Sequence, residues 1–226
     1  MKARITLAMA CLIGLILCSV AVAYYPAFIV RECPHCKAHV VQEETVSGNT
    51  FGAKFYTDGK REAKMLPNHP LLAKCPLCSR LFWVDEAVEV DTGFDAAKGK
   101  QQVWAPSEKD LLGFLVGPAL PADKELYVRV SAWRSANDAW RWNPNATPAF
   151  YKEQVQNLKA LSDMLDEKEP NQRILKAEIA RELGEFDDCL GLLSHPFDER
   201  YGHAVGFIKK LAEEKVPVVR SISPAE

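Results

Sequence analysis

The 226-residue sequence predicts an α+β protein in which a small β head precedes an all-α domain of helical hairpins. Three observations carry this. Two matched tetrads, Cys33-Pro34-His35-Cys36 and Cys75-Pro76-Leu77-Cys78, each lead into an extended, β-prone segment. The chain between them is punctuated by Gly, Pro, Asn and Asp, the residues of turns. Beyond about residue 95, apolar residues recur at helical spacing instead. The division that follows is a leader over residues 1–23, a head over 24–95 and a helical part over 96–226.

Composition sets the outer bounds. Hydrophobic residues make up 48% and charged residues 26%, enough apolar material for an ordinary packed core. The formal net charge is −2 and no Lys/Arg run stands out. Nucleic-acid binding needs clustered cations to neutralise phosphates, so no nucleic-acid partner is expected.

The leader has a targeting pattern. Lys2 and Arg4 precede an uncharged run from Ile5 to Val30, and Ala21-Val22-Ala23 fits a small-x-small cleavage site. Cleavage there makes Tyr24 the first mature residue. If the run is retained instead, it is long enough to anchor the chain in a bilayer, with membrane contact through residues 5–30. Either way the positive flank stays inside, so the remainder is expected to be exported, periplasmic or membrane-anchored.

Seven cysteines sort by position. Cys11 and Cys18 belong to the leader. Cys189 falls in a helical stretch where a small apolar residue packs, the place of a structural thiol. Cys33, Cys36, Cys75 and Cys78 remain, and they have three readings. Two thiolates three positions apart project from one tight turn, and two such knuckles complete a tetrahedron around Zn2+. Alternatively, Cys33-Pro34-His35-Cys36 resembles the active-site tetrad of disulfide oxidases of the thioredoxin fold, and Lys215-Val216-Pro217-Val218 could then supply the proline opposite it. An oxidising compartment would also permit two structural disulfides.

The matched form of the tetrads favours zinc. A thioredoxin-type enzyme needs one pair on a helix N-terminus that lowers a thiol pKa. Here Lys37 to Val46 reads as a strand running into a Ser47-Gly48-Asn49 turn, and Leu81-Phe82-Trp83-Val84 reads as another strand. Four thiolates close the coordination sphere, so the metal is expected to be structural and to activate no water. His35, His39 and His69 are then surface or turn histidines.

Within the insertion, Asp58-Gly59 predicts a hairpin turn, and Pro67 and Pro70 keep the approach to the second knuckle extended. Ser47, Asn49, Thr50 and Asp58 are read as turn chemistry before a binding surface. Residues 91–99 mark the boundary. Ser107 with Asp110 caps a short helix, closed by Gly117-Pro118. Leu126, Val130, Trp133, Asn137 and Trp140 mark one face of the next helix. There Trp133, Trp140 and Trp142 read as core more readily than as a ligand platform. Thr147-Pro148 caps a helix striped by Tyr151, Val155, Leu158, Leu161 and Leu165. Ile174, Leu175, Ile179 and Leu183 mark another, ended by Gly184. Helices through Leu190 and Leu193, and through Ala204, Phe207, Ile208 and Leu211, complete the set.

Gly184, Phe186, Cys189 and Leu193, with Ala177 on the preceding helix, resemble the glycine turn and packing positions of one tetratricopeptide repeat. Cysteine and leucine stand where alanine and phenylalanine are usual. The wider pattern, over residues 28 to 195, is a Cys-Pro-x-Cys pair, a Ser47-Gly48-Asn49-Thr50-Phe51-Gly52 segment, a second such pair and these helices. It resembles bacterial proteins of unknown function that join a zinc-ribbon-like head to tetratricopeptide-like helices. That resemblance implies the fold and the metal and supplies no reaction. Zinc knuckles usually carry glycine after the second cysteine, and here Lys37 and Ser79 stand there.

No G-x-S-x-G, H-E-x-x-H or phosphate-loop motif is present, and no nucleophile and base are brought together by spacing. The reading that follows is a non-enzymatic zinc-binding interaction module of the cell envelope, with a protein or peptide partner. The alternative is an extracytoplasmic thiol–disulfide oxidoreductase acting through Cys33 and Cys36.

Overall fold

The computed structural model describes residues 24–141, 143 and 150–222. The leader, Trp142 and the Thr147-Pro148 cap lie outside the described residues. Seven strands come first: β1 (Tyr25–Glu32), β2 (His39–Ser47), β3 (Lys54–Phe55), β4 (Arg61–Glu62), β5 (Leu72–Lys74), β6 (Leu81–Trp83) and β7 (Val88–Thr92). Helices follow: α1 (Phe94–Ala97), α2 (Glu108–Leu115), α3 (Ala122–Arg141), α4 (Lys152–Met164), α5 (Pro170–Glu182), α6 (Phe186–Ser194) and α7 (Gly202–Glu213). The α+β class is as the sequence predicts.

β1 is the middle strand of an antiparallel sheet ordered β2-β1-β7, and β3–β4 and β5–β6 form two small hairpins. The β5–β6 hairpin shows why the alternation of side chains matters. Ala73 and Phe82 face inward onto Cys33, Val40 and Cys75. Leu72, Leu81 and Trp83 face the other way and pack with Leu111 of α2 and with Val128 and Ala132 of α3. Period-two geometry thus lets three residues per strand serve two cores. Backbone pairing with the head continues through the segment after α1. Val41 N–H donates to Gln101 at 2.9 Å, and Lys74 and Trp104 exchange bonds of 2.9 and 3.0 Å.

α2 opens with the predicted cap, in which Ser107 and Asp110 exchange backbone and side-chain bonds as a capping box. The Leu126, Val130 and Trp133 face of α3 packs against Leu158, Leu161 and Ile179 of the next helices. Its opposite side is also covered, through Val128 and Ala132. The sequence marks only the first face because the second is built from small residues that carry little periodic signal. Trp133 is core, and its indole donates to Glu182 at 2.7 Å.

α5 and α6 form a tight hairpin. Gly184 at φ +81° lets the amides of Gly184 and Glu185 turn back to Arg181 and Ala180, at 3.0 and 2.8 Å, which closes the end of α5. Ala177, Cys189 and Leu193 meet in one fully buried cluster with Ile208 of α7. Cys189 is therefore the structural thiol expected, and burial pushes it up to about 12. The chain end returns to the head. Thr57 N–H donates to Arg220 at 2.9 Å and Ile222 N–H to Phe55 at 2.8 Å, while Val218 and Val219 pack on Tyr56.

Candidate metal centre

Each tetrad folds as a turn at the end of a strand. Cys33 follows β1 directly and Cys75 follows β5. In the first knuckle Cys33 N–H donates to Ala38 at 2.9 Å, and Lys37 N–H to Cys33 at 2.9 Å. In the second, Cys75 N–H donates to Arg80 at 3.0 Å, and Ser79 N–H to Cys75 at 2.9 Å. The two turns are the same structure written twice. Lys37 and Ser79, the residues that replace the usual glycine, adopt left-handed φ of 63° and 60°. The geometry that favours glycine is kept, with a strain cost of about 1 kcal/mol at each position.

The turns face each other. Cys33 Sγ lies 3.8 Å from Cys78 Sγ, and Cys36 Sγ lies 3.7 Å from Cys75 Sγ. All four sulfurs fall within 4.8 Å of one another. Thiolates held ~2.3 Å from a central ion stand about 3.8 Å apart at the corners of a tetrahedron. A disulfide needs ~2.05 Å, and all four thiols are free. The donor set thus fits a thiophilic metal ion, held by Cys33, Cys36, Cys75 and Cys78.

Burial pushes the Cys75 thiol up to about 12, against the opposing pull of backbone amides of Leu77 and Cys78 aimed at its sulfur. A metal bound there would displace the thiol proton, and those amides would then stabilise the thiolate. The redox alternative, through Cys33 and Cys36, needs a helix N-terminus at that pair. No helix follows Cys36; β2 does. Among the described residues every peptide bond is trans, and the Val216 and Val218 carbonyls are occupied as acceptors for Arg181.

The histidines stand outside the sulfur cluster. His35 Nε2 bonds to the Leu81 carbonyl at 2.8 Å, clasping the first knuckle to β6. His69 bonds to Thr45 Oγ1 at 2.8 Å, and His39 is exposed at the start of β2. Asn49 is a turn residue as expected, accepting from Phe51 N–H at 2.9 Å.

Asp58 does more than turn chemistry. Its carboxylate accepts from Lys60 N–H at 3.0 Å and is fully buried against Arg141 and Asn137 of α3, while its carbonyl accepts from Arg134 at 3.2 Å. The network continues from Asn137 and Trp133 to Glu182. Burial first, and then the nearby Glu178 charge, raise the Glu182 carboxyl well above the ordinary value. Glu178 in turn pairs with Arg181, whose guanidinium also holds the carbonyls of Val216 and Val218. This junction was missed in the sequence. Its only trace is the unusual run of Glu178, Arg181 and Glu182 on a helix otherwise striped for burial.

Among the described residues, no helix is long and apolar enough to cross a membrane. No protein-family model, curated protein or solved structure matches this chain.

Proposed function

We propose that the four cysteines hold one structural Zn2+ and that the protein is a non-enzymatic interaction module of the cell envelope, with a protein or peptide partner. The observation that carries the metal assignment is the duplicated knuckle, with sulfur–sulfur edges of 3.8 and 3.7 Å. Four thiolates suit zinc, which imposes no geometry beyond the tetrahedron and leaves no open position for catalysis. Its place between β1–β2 and β5–β6 supports a stapling role, because the head core it joins consists of few residues. The tetratricopeptide-like α5–α6 hairpin supports the interaction role, as stacked helical hairpins offer surfaces for peptides. Export rests on the leader pattern of residues 1–23.

Serine replacement separates this reading from a redox enzyme. Cys33→Ser and Cys75→Ser are expected to lower metal content and head stability to the same extent. Loss of a thiol-exchange activity in Cys33→Ser, with the fold and Cys75→Ser unaffected, would overturn it.

A further inference from the structure

A groove of about 630 Å3 runs between the head's insertion and α3. Its two walls differ in chemistry. Pro70, Leu71, Ala105 and Pro106 give one of them an apolar lining, with Asn68 and His69 beside it. The other is a polar stripe of α3, Tyr127, Ser131, Arg134 and Ser135, spaced so that all four share a helix face. Arg61 of β4 stands at its edge.

The charges of this groove do not balance. Lys60 and Asp138 also line it, and they pair with each other. Asp138 is further held by Arg141 at 2.7 Å. Arg134 and Arg61 make no ion pair among the described residues. Arg134 Nε donates only to the Asp58 carbonyl, and burial lowers the guanidinium below its ordinary value against the pull of the Asp58 charge. The nearby Asp58 carboxylate is already taken by Arg141 and Asn137. Arg61 donates one Nη2 hydrogen bond to Asn68 at 3.0 Å, while its buried Nε has no acceptor. Buried donors without partners are uncommon in folded proteins. Tyr127 Oη accepts from Leu71 N–H at 2.8 Å, which leaves its own proton to donate.

Two arginines short of a carboxylate, with hydroxyls beside them and an apolar wall opposite, define a complementary ligand. It carries an oxyanion next to an apolar group. Bare phosphate would leave the apolar wall wet, and an apolar segment alone would leave the guanidinium groups unanswered. We propose that the groove binds the C-terminal end of a peptide, with its free carboxylate toward Arg134 and Arg61 and its last, apolar side chain against Leu71 and Pro106. The proposal rests on the interaction-module reading and names the partner's chemistry.

The test uses the immobilised full chain and two random hexapeptide libraries, one with free C-terminal carboxylates and one amidated. Recovered peptides are identified by mass spectrometry. The expected result is about tenfold better recovery of the free-carboxylate library, as charge-assisted hydrogen bonds would give, with Leu, Ile, Val or Phe enriched at the last position. Arg134→Met is expected to bring the ratio close to one. Arg61→Met, away from the buried ionic junction, is expected to reduce it at least threefold, and it decides the matter if Arg134→Met does not fold. Equal recovery of both libraries, or a ratio that neither substitution changes, would overturn the groove proposal while leaving a peptide-binding module. Recovery of no peptide from either library would overturn both.

Discussion

The metal knuckles and the Asp58–Glu182 junction are both buried polar assemblies, and they are built in opposite ways. The knuckles take four sulfurs from two copies of one local turn, each cysteine three positions from its mate. The junction takes its groups from a hairpin turn, from α3, from α5 and from the chain end, with Asp58 lying 76 to 83 positions from its partners on α3. The first kind of site is shaped for a ligand the chain does not supply. The second needs no outside ligand for its two ion pairs, because Asp58 meets Arg141 and Glu178 meets Arg181 within the chain. One is expected to fail when the metal leaves, the other when a single partner is removed.

Metal removal should give the largest effect. Binding of structural zinc is worth on the order of 10 kcal/mol. Chelation is therefore expected to abolish hydrogen-exchange protection over residues 33–41 and 72–84 while the α5–α6 hairpin keeps its own. Uniform loss over both regions would show that the head is not a separate dependent unit. Next comes Arg141→Met, which leaves Asp58 buried without its counter-charge. A cost of about 3–5 kcal/mol is expected in denaturant unfolding, and a cost under 1 would mean water reaches the turn.

Glu182 sharpens the comparison through pH. Its folded carboxyl titrates well above the ordinary value of 4.5. The folded state therefore holds the proton more tightly than the unfolded chain. Stability is full below about 4.5 and falls as pH rises towards the folded pKa, by up to about 1.4 kcal/mol per unit. Glu182→Gln should flatten that slope without changing metal content. A slope unchanged by the substitution would assign the titration to another group.

The smallest effects concern backbone strain. Lys37, Ser79 and Lys215 hold left-handed φ of 63°, 60° and 53°. Replacing each by glycine is expected to stabilise by about 0.5–1 kcal/mol, since relief of the side-chain clash outweighs the added chain entropy. Thermal melts of Lys37→Gly and Ser79→Gly that fall below wild type would mean that the lysine and serine side chains contribute contacts worth more than the strain.

This contrast also explains what was legible in the sequence. A repeated Cys-Pro-x-Cys announces a knuckle, because three-residue spacing is a local property and its repetition names the partner. Asp58-Gly59, the Ser107 cap and the Gly184 stop are equally local, and each is found where the sequence predicts it. Arg141 and Glu182 look like residues of solvated helical faces, because nothing within a helical turn of them says that Asp58 will arrive from across the fold. The groove stripe of Ser131, Arg134 and Ser135 was hidden for the same reason. So was the return of Val216 to Ile222 onto the head.

The most direct test of the central claim is metal content with a thiol count, on protein purified from its native compartment without added zinc. The account predicts one zinc per chain. Cys33, Cys36, Cys75 and Cys78 should resist alkylation until the metal is chelated, and Cys189 until the helices unfold. Absence of metal, with Cys33 and Cys36 cycling between thiol and disulfide at a defined potential while Cys75 and Cys78 stand apart, would contradict it.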